Sequence, residues 1–158
     1  MDLILWRHAQ AVDPGPGMDD MARVLTREGE RQAGRMADWL NQHLPQDVKV
    51  LVSPAVRTRQ TVQDLRRHIQ LAEDLAPRKG AQALIDAAGW PHADQTVVVV
   101  GHQPTLGMVL AHLVGGIPLA QAMPWRVHKA GLWWIRCEHL RHDRPGVVVR
   151  AVKSPELM

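Results

Sequence analysis

The sequence contains no tyrosine, no phenylalanine and a single cysteine. Without Tyr and Phe the usual stacking platforms for single-stranded nucleic acid are missing, and the basic residues are not gathered into a stripe, so nucleic-acid binding is disfavoured. One thiol, Cys137, can build neither a disulfide framework nor a Cys-based zinc site. Its apolar setting, Leu132-Trp133-Trp134-Ile135-Arg136-Cys137, reads as that of a buried structural cysteine. No apolar run approaches the ~20 residues needed to cross a bilayer. The opening segment carries Asp2 where a signal peptide would be basic. A soluble cytoplasmic protein with no membrane partner is expected. Lysine is scarce, with 4 Lys against 15 Arg, and the formal net charge is only +3. Arginine is the better bidentate phosphate ligand, although arginines scattered along the chain are better read as genomic composition.

At 158 residues and 46% hydrophobic, residues 1–158 are expected to form one domain around a core of its own. Five apolar runs read as strands: Leu3–Trp6, Val48–Val52, Val97–Val100, Leu132–Cys137 and Val147–Val152. Helix-length segments lie between them. Thr26–Leu44 opens with a Thr cap, has Glu28 and Glu30 in its first turn, and recurs apolar at Ala33, Met36, Ala37 and Leu40. Ser53-Pro54 reads as a cap followed by proline, starting a helix to about His68. Lys79–Gly89 is a weaker helical segment, and Pro104 begins a last strong one that ends at Gly115-Gly116. Continuous apolar runs such as Val97-Val98-Val99-Val100 suit strands covered on both faces, and their alternation with helices predicts a largely parallel α/β sheet. The stretch Asp13–Asp20, rich in Pro and Gly, is expected to be a mobile loop.

Open α/β sheets bind ligands beyond the carboxyl ends of their strands. Here the first run ends in Arg7-His8, the second in Ser53-Pro54-Ala55-Val56-Arg57, and the third in Gly101-His102-Gln103-Pro104. Taken singly, each is an ordinary solvated strand end or helix start. Taken together, they would bring two arginines and two histidines to one edge, with helix amino termini adding partial positive charge at two of the three exits. No carboxylate is prescribed there to neutralise them. Such a pocket would bind a dianion.

The set Arg7-His8-Ala9, Ser53-Pro54-x-x-Arg57 and Gly101-His102 resembles the histidine phosphatase superfamily, the fold shared by phosphoglycerate mutases and many phosphatases. The usual signature is Arg-His-Gly, so Ala9 is a departure. Finer marks are Arg23-x-Leu25-Thr26-x-x-Gly29, Arg57-Thr58-Arg59-Gln60-Thr61 and Gly101-His102-Gln103-Pro104. With the short chain, these look most like the SixA branch of small phosphohistidine phosphatases. The resemblance implies a three-layer α/β sandwich with a central, mostly parallel sheet of the phosphoglycerate mutase-like kind. It also implies that His8 is a nucleophile forming a phosphohistidine intermediate, that Arg7 and Arg57 clamp the phosphoryl oxygens, and that His102 adds a further donor. Neighbouring guanidinium groups would keep the His8 imidazole unprotonated. A bound dianion would raise the His102 pKa and favour its protonated, donating form.

No cofactor or metal is called for, since cationic side chains supply the charge that metal ions provide elsewhere. His139-x-x-His142 falls in a charged turn and reads as solvated side chains. Relatives that cleave phosphate monoesters use an acid between the second helix and third strand. Glu73 and Asp74 are the residues here that could serve, or they are a plain carboxylate pair. A phosphohistidine can expel neutral imidazole without such help, so weak acid provision suits a P–N substrate. The short chain leaves little for a lid, and a shallow pocket could admit a phosphorylated protein such as a histidine phosphotransfer domain or a phosphocarrier. Trp90 and Trp125 read as core fillers in preference to a docking rim. A small-molecule phosphomonoesterase and a noncatalytic phosphate- or phosphoprotein-binding module are the competing readings.

Overall fold

The computed structural model describes residues 1–140 and 144–157. Six strands form one sheet: β1 (Asp2–Arg7), β2 (Val48–Val52), β3 (Ile69–Leu71), β4 (Thr96–Gly101), β5 (Leu132–Leu140) and β6 (Arg144–Lys153), in the spatial order β3-β2-β4-β1-β5-β6. The first four strands run parallel, and β5 and β6 are antiparallel additions. Among the described residues there are also four α-helices, α1 (Arg27–His43), α2 (Val56–Thr61), α3 (Ala81–Ala88) and α4 (Thr105–Leu113), and short 3-10 turns.

The unbroken valine run of β4 is explained by the two faces it serves. Val98 and Val100 join Ile4, Trp6, Val50 and Val52 beneath Met36, Ala37 and Leu40 of α1. Val97 and Val99 join Leu3, Leu5 and Ile135 beneath Leu84 and Ile85 of α3 and Leu106 and Leu110 of α4. All four valines are fully buried, which removes each from water at a gain of about 1.5–3 kcal/mol. The result is the expected α/β/α sandwich with a mostly parallel sheet. Because β2, β4 and β1 are neighbours, their carboxyl ends open side by side.

Helix α1 buries Ala33, Met36, Ala37 and Leu40 as its spacing predicts, and the Thr26 hydroxyl caps it by accepting from the Gly29 amide at 3.0 Å. Gly29 lies against the strand exit that follows His8. A β-carbon there would fall 2.0 Å from the Gln10 carbonyl oxygen. Gly29→Ala is therefore expected to cost about 1–3 kcal/mol, since neither helix nor strand end can retreat without repacking. Denaturant unfolding measures this, and an unchanged midpoint would contradict the packing described.

Several local expectations are corrected. The helix expected to reach about His68 spans only Val56–Thr61, and it begins after Ala55 without a side-chain cap from Ser53. The hydroxyls of Thr58 and Thr61 bond back to the carbonyls of Ala55 and Arg57, and the chain then continues in i→i+3 turns at Gln63 and Leu65. The edge strand β3 was not anticipated; two of its three residues are exposed, so it has no apolar run to reveal it. The Asp13–Asp20 stretch ends in a 3-10 turn, Asp20–Ala22, and Ala11 pairs with Leu25 across its base. Cys137 is half-buried on β5. Among the described residues no helix is long and apolar enough to cross a membrane.

Candidate active site

The exits of β1, β2 and β4 deliver Arg7, His8, Arg57 and His102 to one cavity of about 590 Å3. His8 is fixed through its backbone: its amide donates to the Gly101 carbonyl, and its carbonyl accepts from the Ala130 amide, both at 3.1 Å. Ala130 is fully buried and holds a left-handed backbone, φ 59°. A conformation of that kind is costly for a residue with a side chain and concentrates where geometry matters. The Ala9 amide donates to the Thr61 hydroxyl at 3.0 Å, and that hydroxyl donates to the Arg57 carbonyl at 2.7 Å. The turn carrying His8 is thereby tied to the helix carrying Arg57. Ala9, the departure from Arg-His-Gly, is tolerated because its φ is not positive and its methyl group is buried in the core.

The His8 ring has a defined polarity. Its Nδ1 lies 2.7 Å from the Ala9 carbonyl, which can only accept, so Nδ1 carries the proton. In the neutral ring Nε2 then holds the free lone pair. Burial above all, followed by the charges of Arg57, Arg7 and Arg23, pushes the His8 pKa down to about 4, against the opposing pull of the Ala9 carbonyl. The His102 ring centroid lies 5.3 Å from that of His8. His102 Nε2 pairs with the Ser53 hydroxyl at 2.7 Å, so the role of this fully buried serine is to orient an imidazole. Burial, then the charges of His8 and Arg57, lowers the His102 pKa to about 3, with Asp20 opposing. The protein by itself thus keeps both imidazoles neutral near pH 7.

Arg7 donates to the Val127 carbonyl at 2.8 Å and Arg57 to the Asp20 carbonyl at 2.7 Å. Among the described residues, three buried side-chain polar atoms lack a hydrogen-bond partner: Arg7 Nε, Arg57 Nε and His102 Nδ1. Unsatisfied groups of this kind cost folding energy, and all three belong to the residues singled out in the sequence. A second cavity, about 530 Å3, opens at the opposite end of the sheet. There Asp2 is held by Arg136, Arg150 and the Trp134 indole, so its charge is fully answered. The arrangement is that of a structural cluster.

Sequence reasoning missed several residues. Asp20, Arg23, Arg78, Lys79 and Lys129 line the first cavity. Asp20 contradicts the expectation of a pocket without carboxylates: it pairs with Arg57 at 3.1 Å and with Arg23 at 3.2 Å. The signal for it was present, since the Asp13–Asp20 loop leaves directly from the Arg7-His8 strand end and must return to Thr26. Arg78 stands at the rim with a left-handed backbone, φ 73°. Glu73 and Asp74 lie on an exposed 3-10 turn and are not part of the cavity wall. Trp90 and Trp125 pack against the α3/α4 core, as expected of core fillers. No group of three His, Cys, Asp or Glu side chains able to hold a metal occurs among the described residues, and His142 lies outside them.

Comparison with known proteins bears on this constellation. The family described as Histidine phosphatase superfamily (branch 1) matches residues 3–80. A phosphohistidine phosphatase SixA homolog from Haemophilus influenzae is 30% identical over 130 residues, covering 73% of this chain and 78% of the relative. A structure assigned as a SixA phosphohistidine phosphatase from Nakamurella multipartitia superposes with a TM-score of 0.75 at 29% identity, over 98% of this chain and 95% of the other. A corresponding structure from Agrobacterium tumefaciens shares the fold, with a TM-score of 0.79 at 24% identity over 98% and 97% of the two chains. This chain belongs to the histidine phosphatase superfamily, in its SixA-like branch, and is a hydrolase.

Proposed function

We propose that the protein hydrolyses phosphohistidine on a protein substrate, through a covalent intermediate on His8 and without a metal. The observation that carries this reading is the His8 ring, with its proton held at Nδ1 by the Ala9 carbonyl and its Nε2 lone pair free beside Arg7, Arg57 and His102. In the first step the Nε2 lone pair attacks phosphorus as the substrate P–N bond breaks. The bonding pair passes to the departing ring nitrogen, and the substrate leaves as neutral imidazole because its other nitrogen already carries a proton. In the second step water attacks phosphorus, the His8–phosphorus bond breaks, and inorganic phosphate is released with His8 restored.

Arg7 and Arg57 supply fixed donors to the phosphoryl oxygens as charge redistributes in line. These cations supply the electrostatic stabilisation that a metal ion gives other phosphatases, so none is required. His102, held by Ser53, is a donor to the same oxygens; with its pKa near 3, it gains a proton only when a dianion beside it raises that value. The position of Glu73 and Asp74 outside the cavity wall favours P–N over P–O cleavage, because neither stands where it could protonate an alkoxide. A histidine phosphotransfer domain or a phosphocarrier fits as substrate, which would place residues 1–158 as a single catalytic domain in cytoplasmic signalling.

The test compares kcat/KM for a phosphohistidine peptide with that for p-nitrophenyl phosphate. The P–N substrate is expected to be preferred by about a hundredfold or more, the scale contributed by a general acid that the ester needs and that neither Glu73 nor Asp74 is placed to supply. Preference for the ester would mark a phosphomonoesterase. Turnover of neither would mark a binding module.

A further inference from the structure

The two terminal nitrogens of Arg57, the donors best placed to fork onto a phosphoryl group, are both engaged by Asp20. Nη1 donates to the Asp20 backbone carbonyl at 2.7 Å and Nη2 to its carboxylate at 3.1 Å. Arg57 is almost wholly buried, at 4% exposure, so its guanidinium has little freedom to reach elsewhere. The Asp20 side chain is 45% exposed and is the less enclosed member of the pair. It also stands between two concavities: the catalytic cavity and a shallower groove formed with Met18, Asp19, Met21 and Pro77. Its second partner, Arg23, donates from Nε to the Val12 carbonyl at 2.8 Å, which anchors that cation to the base of the loop. A carboxylate leaving Arg57 would keep a partner in Arg23.

A cup built from Arg7, Arg23 and Arg57 would hold the inorganic phosphate dianion tightly, and tight product binding slows turnover. We propose that Asp20 is a built-in competitor for the phosphoryl site: its carboxylate yields Arg57 to the incoming phosphoryl group and reclaims it as inorganic phosphate leaves. Asp20 thereby sets the affinity of the cup for its product. This rests on the assignment of Arg57 as a phosphoryl ligand. It gives the loop after β1 a role in each turnover, distinct from proton transfer.

The experiment measures direct binding of inorganic phosphate by calorimetry to the full chain, to Asp20→Asn and Asp20→Ala, and to Asp38→Asn. The last makes the same change of net charge on an exposed position of α1. Both Asp20 variants are expected to bind phosphate about tenfold more tightly than the parent, the scale of one charge-assisted pair no longer competing. Asp38→Asn should stay within about twofold. Asp20→Glu, which restores the charge, should return affinity toward the parent value. Phosphate affinity that is unchanged or weaker in both neutral variants, with folding verified by circular dichroism, overturns the proposal. So does a loss of phosphohistidine turnover in Asp20→Asn with phosphate affinity unchanged, which would assign Asp20 to proton transfer. Because binding is read without substrate, these outcomes stay separate from the enzymatic reading, which fails independently if the parent protein turns over no phosphohistidine.

Discussion

Replacing His8 with alanine is expected to lower kcat/KM for a phosphohistidine peptide by about four to six orders of magnitude, the scale seen when a covalent nucleophile is removed. The loss should appear in kcat, because Arg7 and Arg57 still hold the substrate. Rapid quench followed by peptide mapping should find a phosphoryl group on the segment containing His8 in the parent protein and none in the variant. The acid limb of the parent's pH profile is a second reading of the same residue. Burial and the nearby guanidinium groups hold the His8 pKa down at about 4. The neutral nucleophile therefore persists from pH 7 down to that value, and activity is lost only as pH falls through about 4. An unperturbed imidazole would give its limb near 6.5. The stability contribution has the matching sign: between these two values the unfolded chain binds the extra proton, so acidification through this window favours unfolding. His8→Ala protein that dephosphorylates at the parental rate would end the nucleophile assignment.

The second large effect is expected at Arg57. Arg57→Ala should reduce kcat/KM by about 10²–10³, the cost of removing one preorganised donor from a developing oxyanion. Arg57→Lys should recover only part of it, because an ammonium is a point charge without the planar fork. The variant also removes both Arg57 contacts to Asp20, from Nη1 and Nη2, and leaves its carboxylate with Arg23 as partner. In the parent, the hydrogen bonds from Arg23 and Arg57 outweigh burial and keep the Asp20 carboxyl below its ordinary pKa. Steady-state kinetics alongside thermal unfolding separates a lost phosphoryl contact from a loosened loop. A fall of less than about tenfold in a folded Arg57→Ala protein would remove Arg57 from the clamp.

Much of this was legible in the residues because the central strands have no alternative. Val97–Val100 can only be a strand buried on both faces, and the Ala33, Met36, Ala37 and Leu40 stripe can only face a core. Once β1, β2 and β4 are adjacent, the residues that follow them must meet, which is why Arg7, His8, Arg57 and His102 were readable together. What escaped depends on contacts between segments far apart in sequence. Asp20 meets Arg57 across 37 positions, and Ser53 meets His102 across 49. Ser53 read as a helix cap because its local sequence says so, and only the register of β2 beside β4 turns it toward an imidazole. The short span of α2 was hidden for a similar reason. Thr58 and Thr61 spend their hydroxyls on backbone carbonyls and on the Ala9 amide, a use that no local periodicity encodes.

The six tryptophans have a practical consequence. Trp6 of β1 is fully buried on the α1 face of the sheet, Trp39 and Trp134 stand edge to face, and Trp90, Trp125 and Trp133 pack on the α3/α4 side. None lines the cavity that holds His8 and Arg57, and there is no tyrosine to emit in their place. Intrinsic fluorescence will therefore follow melting of both hydrophobic layers while staying blind to whether the cup is filled, so occupancy has to be read as heat or as chemistry.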